Sequence, residues 1–340
     1  MHFFITGHTG FKGTWLSFLL AKEGHEVSGY ALDPVEGSLF ADSSIAKSLS
    51  HDFRADIRDG GALVQALSQA RPDVVIHLAA QPLVLESYKN PIETFESNVN
   101  GTLNVLQATS KTSSIKAQVI ITTDKVYRNK NQKRGYVETD ELGGDDPYSA
   151  SKSMADILTQ SWIKSFPGIP TAIARAGNVI GGGDVSKDRL IPDLVKAYNE
   201  KMPALLRNPN AVRPWQHVLD CLNGYLKLCN YLLSGGSEIA WNFGPRSEEF
   251  MEVLKVADLV GRSWGIEPAW EQDPTPYPQE ANLLALDSSK ARSILNWREK
   301  LTFEEGVNLT SRWYESVQKG LSKEEATRKD IDNFVSWLSS

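Results

Sequence analysis

Cysteine is scarce in this sequence, because Cys221 and Cys229 are the only two among its 340 residues. Both lie in an apolar stretch with helical periodicity, and no Cys-x-x-Cys pair or Cys/His cluster has the spacing of metal ligands. A disulfide framework is therefore not expected, and the sequence predicts no metal site.

Long apolar runs are also missing. No window approaches the roughly 18 to 20 uninterrupted apolar residues of a membrane-spanning helix. The N-terminus has no basic segment followed by an apolar run and a small-residue cleavage site. We therefore expect no membrane association and a cytoplasmic location.

The sequence also has no excess of basic residues. Lysine and arginine number 36 against 42 aspartate and glutamate residues, which gives a net charge of −6. Binding to nucleic acid or to an anionic membrane needs a basic surface, so the composition argues against both. A small anionic substrate stays possible, since a few well-placed arginines are enough to bind it.

The composition otherwise belongs to a globular protein of about two domains, with 41% hydrophobic and 23% charged residues. Short apolar runs alternate with segments of helical periodicity over residues 1–176. The predicted strands are Met1–Thr6, Glu26–Ala31, His51–Ile57, Val74–Ala79, Gln118–Thr122 and Thr171–Arg175. The predicted helices are Trp15–Ala21, Gly60–Ala70, Ile92–Ser110 and Pro147–Phe166. Strands separated by helices predict an α/β fold with a doubly wound parallel sheet of the Rossmann type.

After residue 176 the pattern changes to glycine, proline and shorter helices. We predict a Rossmann domain in residues 1–176 and a smaller α/β substrate-binding region in residues 177–340. Some segments of that region are expected to return to the main sheet, and its packing on the first domain would form one wall of a cleft.

Gly7, Gly10 and Gly13 follow the first predicted strand with the spacing GxxGxxG. Such glycines turn the chain, let backbone amides approach a pyrophosphate and let the next helix pack closely on the sheet. The helix N-terminus, which begins with Phe11 and Lys12, then attracts the phosphates. The pattern favours dinucleotide binding over an ordinary tight turn, which also collects glycine.

Other strand ends supply candidate contacts for the same dinucleotide. Asp33 follows the second strand and is the candidate to bind the adenosine ribose, the alternative being that it only begins the turn with Pro34. Asp56 and Ile57 would contact the adenine, and the segment 78–80 would lie along the pyrophosphate and ribose. The residues of that segment are Leu78, Ala79 and Ala80.

Tyr148 and Lys152 are four residues apart on a predicted helix and therefore share one face. A tyrosine has to lower its pKa by about three units to act as a base at neutral pH, and a cation about 4 Å away supplies that much. A YxxxK pair alone is usually a surface pair. The fifth strand, however, ends in Thr123, Asp124 and Lys125, at the sheet edge where ligands bind in α/β folds.

With this combination the chain resembles the extended short-chain dehydrogenase/reductases that act on nucleotide sugars. The resemblance covers residues 1–297 and includes LAAQP at 78–82, NVNGT at 98–102, RAGNVIGGGD at 175–184 and RPWQHV at 213–218. Within the family the chain is most similar to the CDP-glucose 4,6-dehydratases, through GHTGFKGTWL, LGGDDPYSASK and RNPNAVRPWQHV. The pair Asp124 and Lys125 is the most specific likeness, because the dTDP-glucose enzymes carry Asp-Glu there.

The resemblance implies a lyase with bound NAD that converts CDP-glucose to CDP-4-keto-6-deoxyglucose. Tyr148, assisted by Thr123 and Lys152, would take the proton of the 4-hydroxyl group. Asp124 would act as the acid when water leaves across C5 and C6. Lys125 would either remove the C5 proton as a tuned base or stabilise the enolate. An epimerase, or a dehydratase for another nucleotide sugar, remains the alternative.

The resemblance also implies contacts in the second region. Asn98 would help to order the cofactor site, and Arg213 is the preferred ligand of the diphosphate. The predicted substrate contacts are Gln81, Asn178, Arg189, Arg207, Arg213 and His217. A homodimer, with a tetramer as the alternative, is expected from the predicted helices Ile92–Ser110 and Pro147–Phe166, although their apolar faces could equally pack within one subunit.

Overall fold

The computed structural model describes residues 1–132, 134–277 and 283–339. Its strands are β1 His2–Thr6, β2 Glu26–Ala31, β3 His51–Arg54, β4 Val74–His77, β5 Ala117–Thr123, β6 Thr171–Ala176, β7 Val179–Ile180, β8 Ala204–Leu206, β9 Val212–Arg213, β10 Gln216–His217, β11 Ala240–Phe243, β12 Met251–Glu252 and β13 Trp270–Gln272. Its α-helices are α1 Phe11–Lys22, α2 Gly60–Ala70, α3 Val84–Lys89, α4 Pro91–Phe95, α5 Gly101–Ser110, α6 Pro147–Ser165, α7 Leu190–Asn199, α8 Val218–Leu233, α9 Val253–Trp264, α10 Ser289–Ile294, α11 Phe303–Gln318 and α12 Lys323–Ser339.

One parallel sheet organises the described residues, with seven strands in the order β11-β6-β5-β4-β1-β2-β3. Each of the six predicted strands is present in it, and the α/β prediction of a doubly wound parallel sheet is confirmed. Because the order reverses beside β1, the carboxyl ends of β1 and β4 border a crevice suited to a ligand.

Helices cover both faces of this sheet, which explains why its strands are apolar on both sides. Along β1, Phe3 and Ile5 contribute to one buried cluster and Phe4 to the other. The first cluster includes side chains of α1, α8, α11 and α12, whereas the second includes those of α2 and α5. The main sheet is thereby the middle layer of three.

The C-terminal half contributes to two different cores. Tyr225 and Leu228 of α8 pack in the cluster on the main sheet, and β11 adds a parallel strand beside β6. A separate apolar cluster joins α7, α9 and α11 through Leu194, Val256 and Val307. The division at residue 176 stays a prediction.

The predicted helix Ile92–Ser110 is interrupted in the structure. It consists of α4, a π-helical turn at Glu96–Asn100 and α5. A π-turn adds a residue to the helical repeat and often accompanies a functional side chain. Here the turn carries Asn98, which is buried against the loop after β4.

No helix in the described ranges combines the length and apolar character that crossing a membrane requires.

Candidate active site

A cleft of about 470 Å³ opens at the carboxyl edge of the main sheet. The ends of β5 and β6 and the first turns of α6 line one side, and the segments around α7 and β8 line the other. This volume lies in the range of small-molecule sites. The predicted catalytic residues Thr123, Asp124, Lys125, Tyr148 and Lys152 all line this cleft.

Asp124 lies directly after β5 in a short helical turn capped by Thr123. The Thr123 hydroxyl donates a hydrogen bond of 2.9 Å to Oδ1 of Asp124. Oδ2 is buried and has no hydrogen-bond partner within the described ranges. Burial raises the pKa of Asp124, while Lys125 and the Thr123 bond oppose the shift. A carboxyl in this environment is disposed to keep its proton and to act as an acid.

Tyr148 and Lys152 lie one turn apart near the start of α6, where Pro147 occupies the first turn and Asp146 caps the helix by accepting from Ser149 N at 2.9 Å. Burial raises the pKa of Tyr148 to about 12, and a hydrogen bond with Thr123 lowers it.

The cation that lowers the pKa of Tyr148 in this structure is Arg189. The sequence predicted Lys152 in that role. The Lys152 ammonium instead donates a hydrogen bond of 3.0 Å to the Ile121 carbonyl of β5. Burial first, and then the charge of Lys12, lowers the pKa of Lys152 to about 7.

The glycine loop after β1 has the close packing of a phosphate-binding turn. Gly7 has a φ of +77°, and a Cβ atom there would lie 2.7 Å from the Ala79 amide nitrogen. A Cβ atom on Gly13 would lie 2.2 Å from the Gly7 carbonyl oxygen. Gly10 caps α1 without a side-chain hydrogen bond, so the first amides of α1 are not occupied by a cap. These residues fit a dinucleotide such as NAD.

The predicted adenosine contacts lie farther along the same edge. Asp33 is exposed just after β2. The Asp56 carboxylate pairs with Arg58 at 2.6 Å, and this pairing lowers the pKa of Asp56 against the opposing effect of burial. Ile57 is buried and packs in the second apolar cluster. None of the three lines the cleft described above, so their contact with a cofactor stays a prediction.

Some residues of the segment after β4 line the cleft, and others are directed into the interior. Leu78 and Ala80 line the cleft, whereas the Ala79 amide donates to Thr6 Oγ1 at 3.2 Å under the glycine loop. Asn98 is almost fully buried. Its side chain accepts a hydrogen bond of 2.8 Å from the Gln81 amide and donates one of 3.0 Å to the Gln81 carbonyl. Its amide also donates to Ser151 on α6 at 2.9 Å, so Asn98 holds the β4 loop against the helix of Tyr148.

Gln81 is placed differently from its predicted role as a substrate contact. Its side-chain amide donates to the Leu83 carbonyl and to Thr94 and accepts from the Leu83 amide. These bonds fold the side chain into its own loop, away from the cleft lining. The sequence could not show this, because it does not indicate whether a polar side chain next to a site points into the cleft or into the protein.

Four of the predicted substrate contacts line the cleft: Asn178, Arg189, Arg207 and Arg213. Arg213 is 5% exposed at the end of β9, and Arg189 lies 3.7 Å from Asp184. Asp193 and Tyr277, which were not among the predicted site residues, also line this side. Burial raises the pKa of Asp193 to about 6.

His217, also predicted to contact the substrate, lies outside this lining. It caps α8 by accepting from the Leu219 amide and packs edge-on against Trp15 at 6.1 Å. Burial lowers its pKa to about 3, so the ring is neutral and offers no charge to a phosphate. The structure therefore places His217 in the interior, and its contact with a substrate stays a prediction.

Known proteins share both the sequence and this architecture. The family model described as GDP-mannose 4,6 dehydratase matches residues 4–310. CDP-glucose 4,6-dehydratase of Salmonella typhimurium is 40% identical over 344 residues, which cover 98% of this chain and 96% of the relative.

Two solved structures have the same fold. A dTDP-glucose 4,6-dehydratase from Bacillus anthracis in complex with NAD has a TM-score of 0.82 at 23% identity and covers 94% of this chain and 98% of its own. A UDP-glucose 4-epimerase from Bifidobacterium longum in complex with NAD⁺ and UDP has a TM-score of 0.82 at 21% identity, with 94% and 100% covered. The chain therefore belongs to the GDP-mannose 4,6 dehydratase family, within the extended short-chain dehydrogenase/reductases that the motifs indicated.

Proposed function

We propose that this protein is an NAD-dependent lyase that converts CDP-glucose to CDP-4-keto-6-deoxyglucose. The 40% identical relative is a CDP-glucose 4,6-dehydratase, and the pair Asp124 and Lys125 lines the cleft. The observation that carries the proposal is the buried Asp124 carboxyl with a raised pKa, close to Tyr148. An epimerase needs no such acid, whereas the loss of water from C6 does.

Each catalytic residue has one task in this reaction. When bound, NAD supplies the hydride acceptor for C4 and the hydride donor for C6. Tyr148 takes the proton of the 4-hydroxyl group, which Thr123 orients. The resulting ketone makes the C5 proton acidic. Lys125 accepts the C5 proton as the enolate forms. Asp124 gives its proton to the 6-hydroxyl group, which leaves as water, and C5 takes up a proton again when the hydride is added at C6.

For Tyr148 to accept a proton at neutral pH, its pKa must fall from about 12. Cations near the phenol favour the tyrosinate, and Arg189 already acts in this direction. Lys152 on the same helix face supplies a second positive charge whenever it is protonated.

The substrate diphosphate would bind to the arginine side of the cleft. Arg189, Arg207 and Arg213 line it together with Asn178. Guanidinium groups bind phosphate oxygens in pairs, and a largely buried arginine such as Arg213 binds them without competition from water. The sugar then extends from these residues toward Tyr148 at the other end.

Mass spectrometry in heavy water tests the reaction and the nucleotide together. The protein is incubated with NAD and with CDP-, dTDP-, GDP- or UDP-glucose. We expect CDP-glucose alone to lose one water and to gain one deuterium at C5. Unchanged masses for all four substrates would contradict the proposal, and loss of water from another nucleotide sugar would correct the substrate.

The proposal includes a homodimer in the cytoplasm. Ile92 on α4, Leu103 on α5, and Met154 and Ile157 on α6 are exposed apolar side chains, with Ile92 74% exposed. Apolar residues exposed on adjacent helices favour a helical interface between two copies. Both cysteines are free thiols, which suits a reducing compartment.

A further inference from the structure

The arginine side of the cleft also has a carboxylate that the proposed chemistry does not use. Asp193 lies in the first turn of α7 and lines the cleft, where its side chain is exposed. Its backbone amide donates to the Arg189 carbonyl at 3.0 Å, but its carboxylate accepts no hydrogen bond from the residues that the structure describes. A carboxylate beside a diphosphate site repels the phosphates, so we expect a hydrogen-bond donor elsewhere on the ligand to meet it.

An apolar side chain lines the cleft from the neighbouring strand β8. Side chains alternate between the two faces of a strand. Leu206 packs with Leu194 of α7 in the separate apolar cluster, whereas Leu205 lines the cleft and is 56% exposed. An apolar cleft residue of this kind is suited to contact the flat face of a ligand ring.

The Tyr277 ring is fixed at the same end of the cleft. Its hydroxyl donates a hydrogen bond of 2.8 Å to Asp273, and the Arg207 guanidinium lies 5.4 Å from the centre of the ring. Arg207 comes two residues after Leu205 and donates to the Asp188 carbonyl at 2.8 Å. These contacts hold an aromatic ring at the part of the cleft where Leu205 is exposed.

The arginines that line the cleft lie near different carboxylates. Arg213 is close enough to Asp124 to stabilise a negative charge there, and Arg207 stands in the same relation to Asp193. In the proposed complex the sugar lies at the catalytic end and the diphosphate on the arginines. The nucleoside therefore extends beyond Arg207, toward Asp193.

Pyrimidine nucleotides differ at position 4 of the base, and a carboxylate distinguishes between them. Cytosine has an amino group there, which donates hydrogen bonds, whereas uracil and thymine have a carbonyl oxygen, which accepts them. A carboxylate only accepts, so it binds the amino group and repels the oxygen.

We propose that Asp193 selects cytosine by accepting a hydrogen bond from its amino group, while the base packs against Leu205 and Tyr277. This inference rests on the proposed function, which places a nucleotide sugar in the cleft. It assigns the choice of nucleotide to a residue that has no part in the reaction at C4, C5 and C6.

Binding of CDP and UDP, measured by calorimetry on protein loaded with NAD, tests the selection without turnover. The two nucleotides share the diphosphate and the ribose and differ only in the base. The parent should bind CDP about tenfold more tightly than UDP, or better. In Asp193→Asn the amide group can also donate to the uracil oxygen, so this ratio should fall to near one. An unchanged ratio would overturn the inference, as would an equal loss of affinity for both nucleotides, which would indicate contact with the ribose.

Asp188→Asn is the matched control for the loss of charge. Asp188 lines the same side of the cleft, and asparagine tolerates its φ of +60°. Removing this charge should strengthen the binding of both diphosphates by the same factor and leave their ratio unchanged. A fall of the ratio equal to that in Asp193→Asn would show that charge alone sets the preference, and would overturn the inference.

Leu205→Ser tests where the base packs. Cytosine and uracil have similar flat faces, so the affinities for CDP and UDP should fall together in this variant, with their ratio preserved. Unchanged affinities for both nucleotides would place the base elsewhere and overturn the inference.

The binding and turnover experiments fail separately. A CDP preference that is lost in Asp193→Asn, without turnover of CDP-glucose by the parent, would keep the selection of cytosine and remove the proposed reaction. Turnover of CDP-glucose with an unchanged ratio in Asp193→Asn would keep the reaction and remove the role of Asp193.

Discussion

Arg175 at the end of β6 and Asp156 on α6 form a completely buried, two-pronged ion pair beneath the active site. The two hydrogen bonds measure 2.8 Å each, and both side chains are 1% exposed or less. Arg175 also donates to the Tyr127 hydroxyl at 2.8 Å, and Thr122 donates to Asp156. The pair therefore connects the helix of Tyr148 to β6, and the Thr122 bond connects the same helix to β5, which Asp124 follows.

Breaking this ion pair should destabilise the folded protein. Arg175→Met leaves the Asp156 carboxylate buried without its partner, which costs about 3 to 5 kcal/mol. Urea unfolding should report this loss. Arg134→Met is the control, because Arg134 pairs with Asp140 at an exposed position and its loss should leave the free energy of unfolding nearly unchanged. Equal losses of unfolding free energy in the two variants would mean that the buried pair stabilises the protein no more than an exposed pair does.

Asp124→Asn should separate oxidation from dehydration. The amide has the size of the carboxyl but no proton to give, so water loss should slow by about 10²- to 10⁴-fold. Oxidation at C4 does not use this acid, and NADH absorbance should still appear after CDP-glucose is added. The exposed Asp332→Asn variant is the control and should dehydrate at the parent rate. Normal water loss in Asp124→Asn would remove Asp124 from the acid role.

The fold and the predicted catalytic residues could be predicted from the sequence because the patterns that indicate them are local. Gly7, Gly10 and Gly13 follow a strand at fixed spacing, and Tyr148 and Lys152 share a helix face by periodicity alone. Strand ends in a parallel sheet meet at one edge, which brings Asp124 to the same cleft.

Contacts between distant segments were not open to prediction in this way. Lys12 and Tyr225 are 213 residues apart, and nothing in either neighbourhood indicates that they meet. The inward turn of Gln81 and the capping role of His217 depend on side-chain direction and burial, which a single sequence leaves undetermined. Asp193 lines the cleft from α7, which packs in the separate apolar cluster with α9 and α11.

Gly13→Ala should weaken binding of the cofactor. The added Cβ atom would meet the Gly7 carbonyl oxygen at 2.2 Å, so α1 has to move away from the loop. We expect the affinity for NAD, measured by calorimetry, to fall by about tenfold or more, which is about 1.4 kcal/mol. Gly168→Ala is the matched control because nothing lies within 4 Å of its added Cβ atom. Unchanged affinity in Gly13→Ala would place the dinucleotide elsewhere.

The exposed apolar side chains of α5 and α6 should form the contact between two copies. Ile157→Lys places a charge in that surface and should convert the dimer to monomer in sedimentation experiments. Val35→Lys, at a 65% exposed position after β2, should leave the association state unchanged. A parent protein that sediments as a monomer would contradict the dimer, as would an Ile157→Lys protein that still dimerises.

His217 should make the protein lose stability as the pH falls below neutral. Its folded pKa is about 3 against 6.5 for an ordinary imidazole, so between these values the unfolded chain binds one more proton than the folded one. The free energy of unfolding should then fall by about 1.4 kcal/mol per pH unit below pH 6.5 from this group alone, and the loss should be complete only near the folded pKa. This contribution is measured by urea unfolding of the parent and of His217→Asn at pH 7 and pH 5.

Asparagine keeps an oxygen that can cap α8 but does not titrate. The free energy of unfolding of the variant should therefore fall by about 2 kcal/mol less than that of the parent over this interval. Equal losses would show that the buried His217 ring does not cause the loss of stability in acid.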